Sequence, residues 1–137
     1  MKVICVEKKM IEDTVRQGLF EHTWCFYRNA HFSVPKKNGK YSFIISAVNT
    51  NLLTLEAAGI LPDVEEFSER FAGLLISSLI DFPSGYDQKM LHKDSWDYMA
   101  FQTTQGMYRP TRLVLGGIYS VSAFVGVSRK ILNITWD

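Results

Sequence analysis

Residues 30–47 limit the fold more than any other stretch of the chain. HFSV and YSFIIS are two short runs rich in aromatic and aliphatic side chains, and PKKNGK separates them. Asn38-Gly39 is a strong tight-turn signal, because both residues tolerate positive φ. The stretch reads as a β-hairpin over Ala30 to Ala47, with Lys36, Lys37 and Lys40 near its tip.

The segments around it alternate between helical and extended patterns. Lys8 to Leu19 reads as a helix, since Ile11, Val15 and Leu19 recur at i, i+4 and i+8. Gly18 weakens its end. Leu61 to Leu75 reads as a second helix. Pro62 suits its first position, Asp63, Glu65 and Glu66 suit the positive end of its dipole, and Val64, Phe67 and Phe71 form an apolar stripe. Leu75 to Ile80 has the length and composition of a strand, which ends at Asp81 and is broken by Pro83-Ser84-Gly85. Ala100 to Thr103 and Tyr108 to Leu115 read as a second hairpin turning near Gln105-Gly106. Tyr119 to Leu132 reads as a last helix. The order is helix, hairpin, helix, strand, hairpin, helix, an α+β arrangement of helices packed on antiparallel strands.

A chain of 137 residues with 47% hydrophobic and 21% charged residues can bury a core as one domain or one large subdomain. Its net charge of +1 carries no global basic signal, but the charges are unevenly spread. Residues 1–40 hold eight Lys/Arg against four Asp/Glu, residues 41–104 three against nine, and residues 105–137 four against one. Basic ends around an acidic middle suit a site that meets both a polyanion and a cation, and equally suit solvated faces of mixed sign. Cys5 and Cys25 form no CxxC, and His22, His31 and His92 have no ligand spacing. Neither a disulfide framework nor a zinc site is expected, and a reducing compartment fits. No secretory signal or membrane-length apolar run is visible, so the chain is not expected to be secreted or membrane-bound.

Several residues can carry chemistry. Asp81 at a strand exit can reach a hard cation such as Mg²⁺, or simply face water and cap the turn. Tyr86, past the Pro-Ser-Gly break, can wall a small pocket or pack in a core. Lys36, Lys37 and Lys40 can grip phosphates or remain a solvated turn. Arg109 and Arg112 lie along one expected strand. Arg129 and Lys130 sit near a helix C-terminus, where cations have a structural reason as well. Tyr27, Phe32, Tyr41 and Phe43 can stack on bases or pack inward.

Five segments in order, FSVPKKNGKYSFI, ILPDVEEFSERFAG, SSLIDFPSGYDQKML, DYMAFQTTQGMYRPTRLVLGG and KIL, resemble the reverse transcriptase of gypsy-type LTR retrotransposons. The similarity runs from about Met10 to Leu132. It implies a partial right-hand polymerase, with residues 1–60 and 62–75 fingers-like and 76–135 palm-like. The Lys-tipped hairpin would close over template and incoming nucleotide. Asp81 would match the catalytic aspartate that holds two Mg²⁺ ions together with two later aspartates. Tyr86 would match the aromatic that walls the sugar pocket, with Phe82 and Gln88 beside it. Lys36, Lys37, Lys40, Arg109 and Arg112 would contact phosphates. The partners implied are an RNA template or RNA/DNA hybrid and a dNTP, with work in cytoplasmic particles and the nucleus.

The sequence also departs from that pattern. Ser42 stands where the family carries a basic residue that contacts the triphosphate. Leu113-Val114-Leu115-Gly116-Gly117 stands where the family has Leu-Pro-Gln-Gly and a small residue, so Leu115 replaces a hydrogen-bonding Gln. Ile118-Tyr119-Ser120 is bulkier than the family's small polar continuation. Asp137 has no neighbouring aspartate and does not read as the paired motif. Asp81 alone would hold Mg²⁺ weakly or not at all. The expectation is a chain that resembles an RNA-directed DNA polymerase and does not polymerise by itself. Two alternatives stand beside it: a non-catalytic module that binds RNA or a hybrid, and a structural or interaction protein. A palm short of its paired-aspartate hairpin would also bare apolar surface, favouring self-association or a partner.

Overall fold

A computed structural model describes residues 2–55 and 63–132. The elements are α1 (Lys2–Arg16), β1 (Phe20–His22), β2 (His31–Pro35), β3 (Tyr41–Ile45), α2 (Val48–Leu52), α3 (Val64–Phe71), β4 (Phe101–Thr103), β5 (Gly106–Pro110) and α4 (Ile118–Leu132). Short 3₁₀ turns occupy Gly85–Gln88, Lys93–Ser95 and Asp97–Met99. The strands make a two-stranded antiparallel sheet, β2-β3, and a three-stranded one in the order β1-β5-β4. The expected α+β arrangement of helices and antiparallel strands is what the chain adopts.

The first hairpin forms where the sequence puts it, with Phe32 opposite Ile44 and Pro35 opposite Tyr41. Its turn differs in detail. Only Gly39 takes positive φ, at +76°, while Asn38 contributes a side-chain acceptor to Lys40 N at 3.2 Å. The helix expected from Lys8 begins earlier, at Lys2, and ends at Arg16. Gly18, at φ +71°, stops it: Leu19 N donates to Thr14 O at 3.1 Å and Gly18 N to Val15 O at 2.9 Å. That paired closure satisfies carbonyls the last turn would otherwise strand. Ile11 on its inner face is 1% exposed.

α3 covers only the middle of the helix expected over Leu61 to Leu75. Asp63 caps it, accepting from Glu65 N at 2.8 Å, and Gly73 at φ +82° follows its end. Leu61, Pro62 and the Phe67 side chain lie outside the described residues, as does Asp137.

The strand expected over Leu75 to Ile80 is not formed. The segment is irregular and belongs to no ladder among the described residues, with Leu75 100% and Leu79 97% exposed. An apolar run becomes a strand only where another backbone completes its hydrogen bonds. The second hairpin also differs: β5 runs Gly106–Pro110 rather than Tyr108 to Leu115, turning through Thr104-Gln105. β1 and α2 were not expected. β1 is three residues long and pairs with β5, Glu21 opposite Arg109.

The core lies where α1 meets both sheets. Ile11, Ile45, Ala47, Met99, Phe101 and Tyr108 are buried, with Val15, Phe20, Phe43, Leu91 and Val114 packed against them. Phe101, wholly buried, takes Phe20 edge-on at 5.0 Å between ring centres and Phe43 at 5.1 Å. Its truncation to Ala would cost about 3–5 kcal/mol. This aromatic cluster fixes the β2-β3 hairpin against the three-stranded sheet, and so fixes the mouth between them.

Candidate functional site

A cavity of about 380 Å³ opens between the β2-β3 hairpin, the Ser84–Asp87 loop and the chain leaving β5. Lys36, Tyr41 and Ser42 line it from the hairpin, Gly85 and Tyr86 from the loop, and Arg112, Leu113 and Leu115 from beyond β5. Positions far apart in sequence therefore share one wall.

Backbone geometry brings them together. Leu91 N donates to Thr111 O and Leu113 N to Lys89 O, both at 3.0 Å, tying the end of the loop to the segment that carries Arg112. The loop itself is tight: Ser84 has φ +49°, Asp87 N donates to Ser84 O at 2.9 Å, and Lys89 N to Tyr86 O at 3.1 Å. Phe124 of α4 sits beneath. Phe82 meets it edge-on at 5.7 Å and Tyr86 lies against it at 5.3 Å.

The expected site residues thus divide. Tyr86, Lys36 and Arg112 reach the cavity, and so do the departures Ser42 and Leu115. Phe82 and Gln88 do not line it; they hold the loop, Phe82 through Phe124 and Gln88 by donating from its amide to Pro83 O at 2.7 Å. Lys37 and Lys40 are exposed at the hairpin tip, and no carboxylate lies within ion-pair distance of them among the described residues. Arg112 encloses its Nε without a hydrogen-bond partner among those residues. A sheltered guanidinium nitrogen with no acceptor is costly unless an anion or water supplies one.

Arg109 is engaged elsewhere. It bonds Glu21 through Nε at 2.7 Å and Asp97 through an end nitrogen at 2.7 Å, with its guanidinium 5.3 Å over the Trp96 ring. The hydrogen bond to Asp97 raises the Arg109 pKa, and the same bond, helped by Thr23, lowers that of Asp97. These partners occupy the side that a phosphate would need. Arg112, for its part, lies past the end of β5 in an isolated bridge to Met90, so the two arginines do not share a strand.

Asp81 is exposed in the irregular segment and does not line the cavity. No group of three or more His, Cys, Asp or Glu that could hold a metal occurs among the described residues. Their donor set does not fit a two-ion magnesium site: a single carboxylate competes poorly with the water that Mg²⁺ keeps.

Trp24 and Phe26, which no motif singled out, stand almost wholly in solvent between β1 and β2. A sequence signal existed in the run WCFYR, where three aromatics crowd an arginine outside any expected element. No helix of the described residues is long and apolar enough to cross a membrane.

No family model matches the chain. Over 117 residues it is 27% identical to the retrovirus-related Pol polyprotein from transposon 412 of Drosophila melanogaster, covering 81% of this chain and 9% of that polyprotein. Its fold matches the foamy viral protease-reverse transcriptase in complex with dsDNA, with TM-score 0.78, 20% identity and 93% of this chain covered against 23% of the other. It also matches the foamy viral protease-reverse transcriptase in complex with an RNA/DNA hybrid, with TM-score 0.77, 17% identity and 97% of this chain covered against 18% of the other. The chain therefore spans less than a third of the length of each of these proteins. The resemblance carried by the five segments is borne out as a similarity: the chain is similar to part of a retrovirus-related Pol polyprotein and has the fold of part of a reverse transcriptase, and transposon 412 agrees with the gypsy type.

Proposed function

We propose that the chain is the nucleotide-facing part of an RNA-directed DNA polymerase from a retrotransposon polyprotein, fingers-like over residues 1–60 and 62–75 and palm-like over 76–135. In this reading it grips template and incoming nucleotide and does not complete catalysis by itself. The observation that carries it is the one cavity that joins Lys36 and Ser42 of the hairpin, Tyr86 of the loop and Arg112 of the segment after β5.

Each wall has a task that its chemistry suits. Lys36 and Arg112 offer positive charge to phosphate oxygens, Lys as a compact ammonium and Arg as a planar fork. Tyr86, braced on Phe124, offers a ring against a sugar. Lys37 and Lys40 at the tip can follow a polynucleotide backbone. The complexes of the structural relatives with dsDNA and RNA/DNA hybrid support nucleic acid as the partner class.

Polymerisation is a separate matter. Two-ion transfer needs several carboxylates that bridge both ions beside the reacting phosphate, and no group of three or more His, Cys, Asp or Glu that could hold a metal occurs among the described residues. Leu115 and Ser42 bring no amide and no cation to the cavity, which favours binding over chemistry. A non-catalytic RNA- or hybrid-binding module is accordingly the second reading.

Two measurements test the proposal. A fluorescent dNTP and a labelled primer–template should each bind at low salt, the first weakened by Arg112→Ala and by Lys36→Ala, the second by joint replacement of Lys36, Lys37 and Lys40 with Ala. Indifference of both ligands to these changes rejects the site. Primer extension with Mg²⁺ and dNTPs should be undetectable; incorporation that vanishes in Asp81→Ala refutes the claim of catalytic incompleteness.

A further inference from the structure

The loop between β1 and β2 puts aromatic rings into water. Trp24 is 97% exposed, Phe26 is wholly exposed, and Tyr27 is about half exposed and meets Tyr98 edge-on at 4.9 Å. None of the four lines the cavity.

The loop is held at both ends. Thr23 N donates to Met107 O at 3.1 Å and the Thr23 hydroxyl to Asp97 at 3.0 Å. Asn29, buried, donates from its backbone to Ala100 O at 2.8 Å and from its side chain to Tyr98 O at 2.7 Å. A loop fastened in this way presents its rings with little ordering left to lose on binding.

The chemistry of the patch narrows the partner. Every large apolar side chain exposed between positions 20 and 32 is aromatic, whereas the exposed ones from Leu74 to Ile80 are all aliphatic. Arg28, exposed within the aromatic run, has no carboxylate within ion-pair distance among the described residues. Open ring faces beside an unpaired guanidinium complement a base with a free face and its phosphate. In a duplex those faces are already stacked on one another.

We propose that the Trp24–Arg28 loop is a stacking platform for unpaired bases of single-stranded nucleic acid, separate from the cavity. It rests on the nucleic-acid reading above. Trp24 and Phe26 each take a base face, and Arg28 holds the backbone between them.

The test uses the full chain, a labelled short oligothymidylate and a labelled blunt hairpin duplex, with binding followed by anisotropy. The double variant Trp24→Ala/Phe26→Ala should bind the single strand about tenfold more weakly, as loss of one or two stacked bases requires, and the duplex as before. Trp24→Phe, which keeps a ring, should retain most of the single-strand affinity. Equal single-strand binding by parent and double variant overturns the platform alone. So does an equal loss on both ligands, and so does a double variant altered only in self-association by sedimentation, which would mark a protein-docking surface. Failure of the parent to bind either oligonucleotide at low salt removes the nucleic-acid reading and the platform together.

Discussion

The side-chain amide of Asn51 clasps the start of α4: its oxygen accepts from Ile118 N at 3.0 Å and its nitrogen donates to Gly116 O at 2.9 Å. A residue from the far end of α2 thus does for α4 what a local capping side chain usually does. It also pins the Leu113–Gly117 segment, part of which walls the cavity. Asn51→Ala should destabilise the chain by about 1 kcal/mol, the usual worth of a cap, read as a lower urea midpoint with unchanged slope. Asn51→Asp keeps the acceptor and should recover part of the loss. An unaltered midpoint in Asn51→Ala would mean that the clasp contributes nothing.

Gly85 is where the loop touches Phe124 too closely for a side chain. A Cβ there would lie 2.6 Å from Phe124 Cζ and 2.8 Å from Cε2. Gly85→Ala should therefore cost about 1–3 kcal/mol through overpacking and displace the Tyr86 wall, lowering nucleotide affinity. Adding Phe124→Leu makes room and should restore thermal stability toward the parent. If the second change deepens the loss instead, the steric account is wrong.

Arg109 and Asp97 link stability to pH. The hydrogen bond from Arg109, with help from Thr23, lowers the Asp97 pKa below its ordinary 3.8 against the opposing effect of desolvation. A depressed carboxylate contributes stability above its unfolded pKa and loses it as pH falls through the folded one. Asp97 and Glu21, the two carboxylates that Arg109 pairs with, are each more than a third exposed, so salt and solvent keep the effect to about 1 kcal/mol or less. In Arg109→Gln the stability gap to the parent should be constant near neutral pH and close below about pH 4. Urea titrations at a series of pH values read this directly; a gap that widens on acidification contradicts it.

The bare aliphatic run from Leu74 to Ile80 should drive self-association. Its aliphatic side chains are 58% to 100% exposed, and its backbone belongs to no ladder among the described residues. Unpaired backbone beside apolar side chains invites another strand. Sedimentation should reveal concentration-dependent association of the chain, suppressed by Leu75→Glu with Leu79→Glu. A parent that stays monomeric at high concentration would rule this out.

Local rules in the sequence determined the hairpin, the α3 cap and the general course of α1 and α4. The Asn38-Gly39 turn, Asp63 before two glutamates and the 3.6-residue spacing of Ile11 and Val15 act within a few residues of themselves, and can be read without a partner. The ordered segments around Asp81 also carried the resemblance. What local rules could not supply was pairing across distance. β1 is three residues long and exists because β5 offers a ladder, whereas Leu75 to Ile80 has strand composition and finds no ladder among the described residues. The same holds at the site. Arg109 and Arg112 look alike along the chain, but opposite Glu21 and beside Asp97 the first is neutralised, while the second turns toward the cavity with Lys36 and Tyr86. Electrostatic partners and ladder partners are set by which backbones meet. That depends on how Phe20, Phe43 and Phe101 pack in three dimensions, and it was decided only by the tertiary structure.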